Sequence, residues 1–356
     1  MKLFKYIFIC SLSFVFIESS GQGVGFPKKT WGIGFGNSTK FDGLRFNFID
    51  KDIETINGIN VTVWYQKDFD DHTGTFNGIG IGVPLAAGTA YRNGLSVGVL
   101  GVGAGRKLTG INLAGLAVGA GRDVSGLNIA GLAVGSGENL TGFNIGGLAV
   151  GAGEEVTGFS FALLAVGAGE SLEGINIGGL VAGAGDRIRG LNFGGLAVGA
   201  GDEVKGISAS VLVVGSGESL TGLSVAGLVV AAGEEVTGIN LACLAVGSGG
   251  TLTGINAAVL AVGAPEVRGL NIALAVGGEN VTGLVLAPAY FRIEEGEFKG
   301  LSISAFNHVR GTLNGASIGA FNYANKINGV QIGILNYIRS NRKGLRLLPI
   351  FNARFD

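Results

Sequence analysis

A glycine returns every 16 residues through the middle of this chain, at Gly78, Gly94 and Gly110 and onward without a break to Gly254. A strict period of that length means that one short supersecondary unit is copied and stacked, because no single unit so small can bury a core. Looser copies begin at Gly43 and Gly58 before the block, and at Gly269, Gly283, Gly300, Gly315, Gly329 and Gly344 after it, which makes about twenty units in all.

Glycine supplies 68 of the 356 residues while proline supplies 5, and the glycines do not fall at every third position. That pattern excludes collagen. A hydrophobic share of 47% is too high for a disordered glycine-rich linker. The glycine is therefore spent on tight corners and close backbone approach.

Aligning the units shows what each column carries. The first and third positions after the lead glycine are apolar (Ile111 and Leu113, Phe143 and Ile145, Ile175 and Ile177), with Asn or Ser between them, as in Asn112, Asn128, Asn144 and Ser160. This alternation is the period-2 signature of a strand. After a small pair such as Ala114–Gly115 the next apolar columns fall at offsets six and eight, Leu116 and Val118. A bend at the small pair would return both apolar sets to one interior. Charge is confined to one corner per unit, as in Arg122–Asp123, Glu154–Glu155, Asp202–Glu203 and Glu234–Glu235.

The fold expected is all-β: a β-solenoid of about twenty coils of ~16 residues with capping ends. The alternative is an antiparallel transmembrane β-barrel, since about twelve weakly polar residues between charged turns would also span a membrane. Against the barrel, one strand face would be lined by Gly and Ala. Aromatic girdles are also missing, the only aromatics between Gly94 and Ala289 being Phe143, Phe159, Phe161 and Phe193.

Four segments follow. Residues 1–21 read as a signal peptide: Lys2 and Lys5 precede an apolar run from Ile7 to Ile17, and Ser19 and Gly21 sit at −3 and −1 of a cut before Gln22. Residues 22–77 form an N-terminal cap with irregular repeats, including Trp31, Trp64, Tyr65 and the charged stretch Lys67 to His72. Residues 78–268 are the regular body. Residues 269–356 are shortened repeats and a C-terminal cap, with Phe306, Phe321, Tyr323 and Tyr337 closing the core. A cut before Gln22 leaves one cysteine, Cys243, so the mature chain can hold no internal disulfide.

Chemistry is sparse. The phrase Gly101-Val-Gly-Ala-Gly105 invites a nucleotide-loop reading, but no helical periodicity follows it. Asp123 falls at offset thirteen, whereas Asp186 and Asp202 fall at offset twelve, too irregular a column for a cation that needs several converging oxygens. The adjacent carboxylates Glu154–Glu155, Glu234–Glu235 and Glu294–Glu295 point apart on a strand or corner and have no opposed His or Arg cluster. The two histidines, His72 and His308, lie in opposite end regions. Cys243 stands in a small-residue column and reads as a buried filler, and the Thr column (Thr109, Thr141, Thr157) is broken by Glu173, Arg189 and Lys205. The expectation is no catalytic residue, no cofactor and no metal site. A formal net charge of −1 offers nothing to nucleic acid.

The late units Gly315-Ala-Ser-Ile-Gly-Ala-Phe-Asn322 and Gly329-Val-Gln-Ile-Gly-Ile-Leu-Asn336, with the ending Leu348-Pro-Ile-Phe-Asn-Ala-Arg-Phe-Asp356, resemble the bacterial surface repeat family first recognised in Leptospira. Its members repeat a Gly-Leu-Gln-Leu-Gly-Leu-x-Asn phrase after a signal peptide. The central block departs by one inserted residue and lacks the terminal Asn. The resemblance implies a surface or outer-membrane location, carries no assigned activity and transfers no site residues. The reading is a non-enzymatic exported surface or secreted repeat scaffold, adhesive or partner-binding, with the cell envelope or another surface protein as the partner class. An outer-membrane barrel acting as a pore is the alternative.

Overall fold

The computed structural model describes residues 23–64 and 73–355. The expected signal peptide and the charged stretch Lys67 to His72 lie outside the described residues. Within them, every regular element is a β-strand except one three-residue 3₁₀ turn, Lys343–Leu345. Among the described residues no helix is long and apolar enough to cross a membrane. The chain forms two compact units that divide between Ser136 and Gly137, and each is a β-solenoid.

A coil from the second unit shows the plan. The eight-residue strand Ser171–Gly178 is followed by a bend at Gly179–Leu180, the four-residue strand Val181–Ala184 and a second bend at Gly185–Asp186. The next coil then opens with Arg187–Gly194. Like columns pair in parallel: Leu172 with Ile188, Gly174 with Gly190, Asn176 with Asn192. Two corners per coil return the chain to its starting direction, so neighbouring long strands cannot run opposite ways. The antiparallel barrel is thereby replaced.

The lead glycine makes this close stacking possible. From Gly43 to Gly126 in the first unit and from Gly142 to Gly329 in the second, its φ lies between +106 and +152 degrees. A Cβ on Gly174 would also press into the carbonyl oxygen of Gly158 in the coil before. Any other residue would be strained by its own backbone and blocked by its neighbour's.

The solenoid places the side chains differently from the column reading. Inward parity is unbroken along the coil: in the strand pair Glu155–Ala162 and Ala165–Ala168, the buried residues are Val156, Ser160, Ala162 and Val166. The side chains do not switch sides at the small pair. The core is made by the Leu172, Asn176 and Ala182 columns, all fully buried, while Ile175 and Leu180 are about 40% exposed. The apolar columns at offsets one, three and six thus stay outside, and the Asn column lies within. Buried amides must be paired, and stacking supplies the partner. Asn112 donates to Asn128 at 2.8 Å in the first unit; in the second, Asn176 donates to Asn192 at 3.0 Å and Asn240 to Asn256 at 2.9 Å.

Each unit has one distinctive end. In the first, Val24–Lys28 runs antiparallel to Trp31–Phe35, and Phe41, Ile53, Ile56 and Phe76 form a buried cluster, while Trp31 and Trp64 are exposed. In the second, the last coils use the longer strands Asn280–Ile293, Glu297–Ile318 and Phe321–Ile338. The bulk that fills their core is Phe291 packed edge-on to Phe298 at 4.8 Å between ring centres. Phe306 and Phe321, expected inside, are exposed. Gly344 leads no further coil, because it sits in the 3₁₀ turn after which Leu347–Arg354 returns antiparallel to Phe321–Ile338.

Candidate functional site

The surface of a coil divides by chemistry. Offsets one and three form an outward wall of Ile, Leu, Val and Phe, stacked along the coils like rungs; Phe143 lies on Phe159 at 4.5 Å between ring centres. Offset six adds a ridge of Leu at the corner, from Leu148 to Leu274, each residue 36–48% exposed. Beyond the ridge the short strand shows small uncharged residues, mostly apolar ones such as Ala149, Gly151 and Val181, with Ser248 at the end of one. In the regular coils the opposite corner and the first half of the long strand carry all the charge, while in a late coil Arg292 stands on the short-strand side beside Gly277. The sequence places both apolar sets one after the other, but only the backbone parity decides that one of them faces out.

The charged edge pairs within itself. Arg189 contacts Glu203 at 3.0 Å and Glu173 at 3.8 Å, and Arg268 contacts Glu266 at 2.7 Å. The bond to Glu203 raises the Arg189 pKa. Exposed pairs of this kind contribute little stability, about 0–1 kcal/mol. The carboxylate pairs do not converge. Thr157 donates to Glu155 at 2.9 Å, Thr237 to Glu235 at 2.7 Å, and Glu294 contacts Arg292 at 2.9 Å. Among the described residues, no three of His, Cys, Asp or Glu gather as metal ligands would. Asp123, Asp186 and Asp202 remain on this edge in separate coils. The phrase at Gly101–Ala104 is a short strand and opens no helix.

Cys243 is exposed, not buried. Its column belongs to the outer corner, where Val211 and Val259 also protrude. A small residue there reflects close coil-to-coil approach, not a core position. His308 accepts from or donates to the Tyr290 hydroxyl at 3.1 Å through Nδ1 and stacks on Phe306. Burial, with Arg310 and Arg292 nearby, holds its pKa below the ordinary value. His72 lies outside the described residues.

The first unit also encloses a polar interior. Arg45 is fully buried and contacts Asp50 at 2.8 Å, and Asp50 also accepts from Asn60 at 3.0 Å and Thr62 at 2.7 Å. Arg92 is buried above the Phe76 ring at 4.4 Å and donates to Ser96 at 2.9 Å. Desolvation lowers its pKa to about 10 against the opposing pull of Asp50. Gly80 makes the room, since a Cβ there would collide with the Arg92 guanidinium. The signal was present: Arg45 and Gly80 occupy the Asn column, and Arg92 the Leu108 column. These groups knit a core.

The chain matches no protein-family profile, no curated protein and no solved structure.

Proposed function

We propose that this protein is an exported, non-enzymatic repeat scaffold that offers a uniform, repeated surface to the cell envelope or to a surface partner. The observation that supports this reading most is the sameness of the outer columns. Each regular coil led by Gly94 to Gly254 presents the same wall and ridge as the next, and all but the coil led by Gly238 add a charged corner, so recognition would scale with area and no single coil is chemically privileged. A catalytic site needs the opposite, unlike groups converging on one point. The basic start and apolar run before Gln22, together with the resemblance of the late units to bacterial surface repeats, support export.

Fractionation of the producing cells tests this. The expected result is a processed chain beginning near Gln22 in the envelope or the medium, reached by protease added to whole cells. An unprocessed chain confined to the cytosol would overturn it.

A further inference from the structure

The uncharged sides of the coil are wider than any one flat partner would cover. In each of the eight coils led by Gly142 to Gly254, the eleven positions after the lead glycine hold no Asp, Glu, Lys, Arg or His. Those positions make the wall, the Leu ridge and the short-strand side, so an apolar surface wraps around a corner and charge is kept to the far edge. The ridge leucines and the exposed wall residues of the second unit, among them Ile175, Phe193, Ile207 and Ile239, are each about 40% exposed and together make a patch larger than several hundred Å². Soluble monomers seldom expose more than a few hundred.

Two further features concern what can cover it. The first is the backbone. A surface facing lipid can leave no amide or carbonyl unpaired, and the ridge corner obeys this: Leu180 N donates to Leu164 O at 2.8 Å, Val181 N to the same oxygen at 3.0 Å, and Leu196 N to Leu180 O at 2.7 Å. The second is shape. A second copy could pack sheet-to-sheet against the wall but would leave the ridge and the short-strand side in water, whereas fluid acyl chains follow a convex corner. In the last coils the wall runs into an apolar groove of about 490 Å³ lined by Ile318, Gly319, Ile332, Gly333, Ile334 and Ile350.

We infer that the wall and ridge of the second unit are a lipid-contacting surface, with which the protein lies in the leaflet of a bilayer while its charged edge stays in water. This names the partner of the scaffold surface proposed above and rests on that reading. The edge is predominantly acidic, with Glu154, Glu155, Glu234 and Glu235 among its members. Attraction to anionic headgroups is therefore not the driving force, and the contact is apolar.

The test uses the full chain and phosphatidylcholine vesicles, so its outcome is independent of export. The protein is expected to float with the vesicles, equally at low and high salt. An environment-sensitive fluorophore on Cys243, in a Cys10→Ala chain, should shift to the blue and be quenched by spin-labelled acyl chains. The same probe at Glu154→Cys, with Cys243→Ser, should report water. The triple variant Ile175→Glu, Ile207→Glu and Ile239→Glu should lose flotation at least tenfold with an unchanged circular dichroism spectrum. A Cys243 probe that stays in water, or a chain that stays at the bottom of the gradient as a monomer, overturns the inference. So does a discrete dimer that excludes vesicles, which would assign the wall to a second copy.

Discussion

The middle coils and the last coils of the second unit turn their corners by different means. In the middle, two bend residues such as Gly179–Leu180 separate the strands, and the backbone alone makes the turn. In the last coils the strands Asn280–Ile293 and Glu297–Ile318 run on through the same corner, with a register shift between Ala287 and Tyr290, and side chains brace it and the Gly319–Ala320 bend of the next coil. Asn307 donates to Ile318 O at 3.1 Å and to Asn322 Oδ1 at 2.7 Å; Asn322 donates to Ile332 O at 3.0 Å and to Asn336 Oδ1 at 2.7 Å. An invariant coil length lets small residues stack without gaps, so the core can be narrow. Where coil length varies between Gly269 and Gly329, the interior takes in Phe291, Phe298 and a second Asn ladder.

This contrast can be broken in four places. The largest effect belongs to the aromatic plug: Phe298→Ala should destabilise the protein by about 3–5 kcal/mol in chemical denaturation, since it leaves a large cavity against the buried Phe291. If the cost is below about 1 kcal/mol, the last coils are not closed by aromatic bulk. Next comes a paired test in a middle coil. Leu172→Ala should cost about 2–4 kcal/mol, while Ile175→Ala, three residues on and equally apolar, should stay within about 0.5 kcal/mol without lipid. Equal costs would contradict the observed parity.

Third, Asn322→Ala should cost about 1–3 kcal/mol, because it strands Asn307 and Asn336 in a buried position. Faster amide exchange confined to the last coils would locate the effect. The smallest concerns His308, whose pKa burial, Arg310 and Arg292 hold below 6.5. The folded state therefore binds this proton less readily than the unfolded chain, and stability contributed by the neutral imidazole is lost as pH falls below about 6.5. The melting temperature of the native protein should drop more between pH 7 and pH 5 than that of His308→Phe. Parallel pH profiles would remove His308 from the account.

Much of the architecture was legible. The glycine spacing forecast coils, and the charged pair marked a corner. What the columns could not show was which face of the strand turned in. Ile175 and Leu172 are both large aliphatic residues, and a sheet covered on both sides reads as apolar throughout. The bend proposed at the small pair reconciled two apolar sets with one core, but the set at offsets one and three stays outside. Cys243 is exposed for the same reason, its column lying on the outer corner. Arg45 and Arg92 were visible as oddities in their columns, yet only their approach to Asp50 and Phe76 explains how such charges are buried.

By itself, the sequence determined that like would stack on like. A 16-residue period with a glycine at each lead position leaves the backbone few other ways to satisfy its hydrogen bonds. The tertiary structure alone decided which apolar columns became core and which became surface. Parity along a strand is a property of the closed coil, and residue type cannot report it where both faces are apolar.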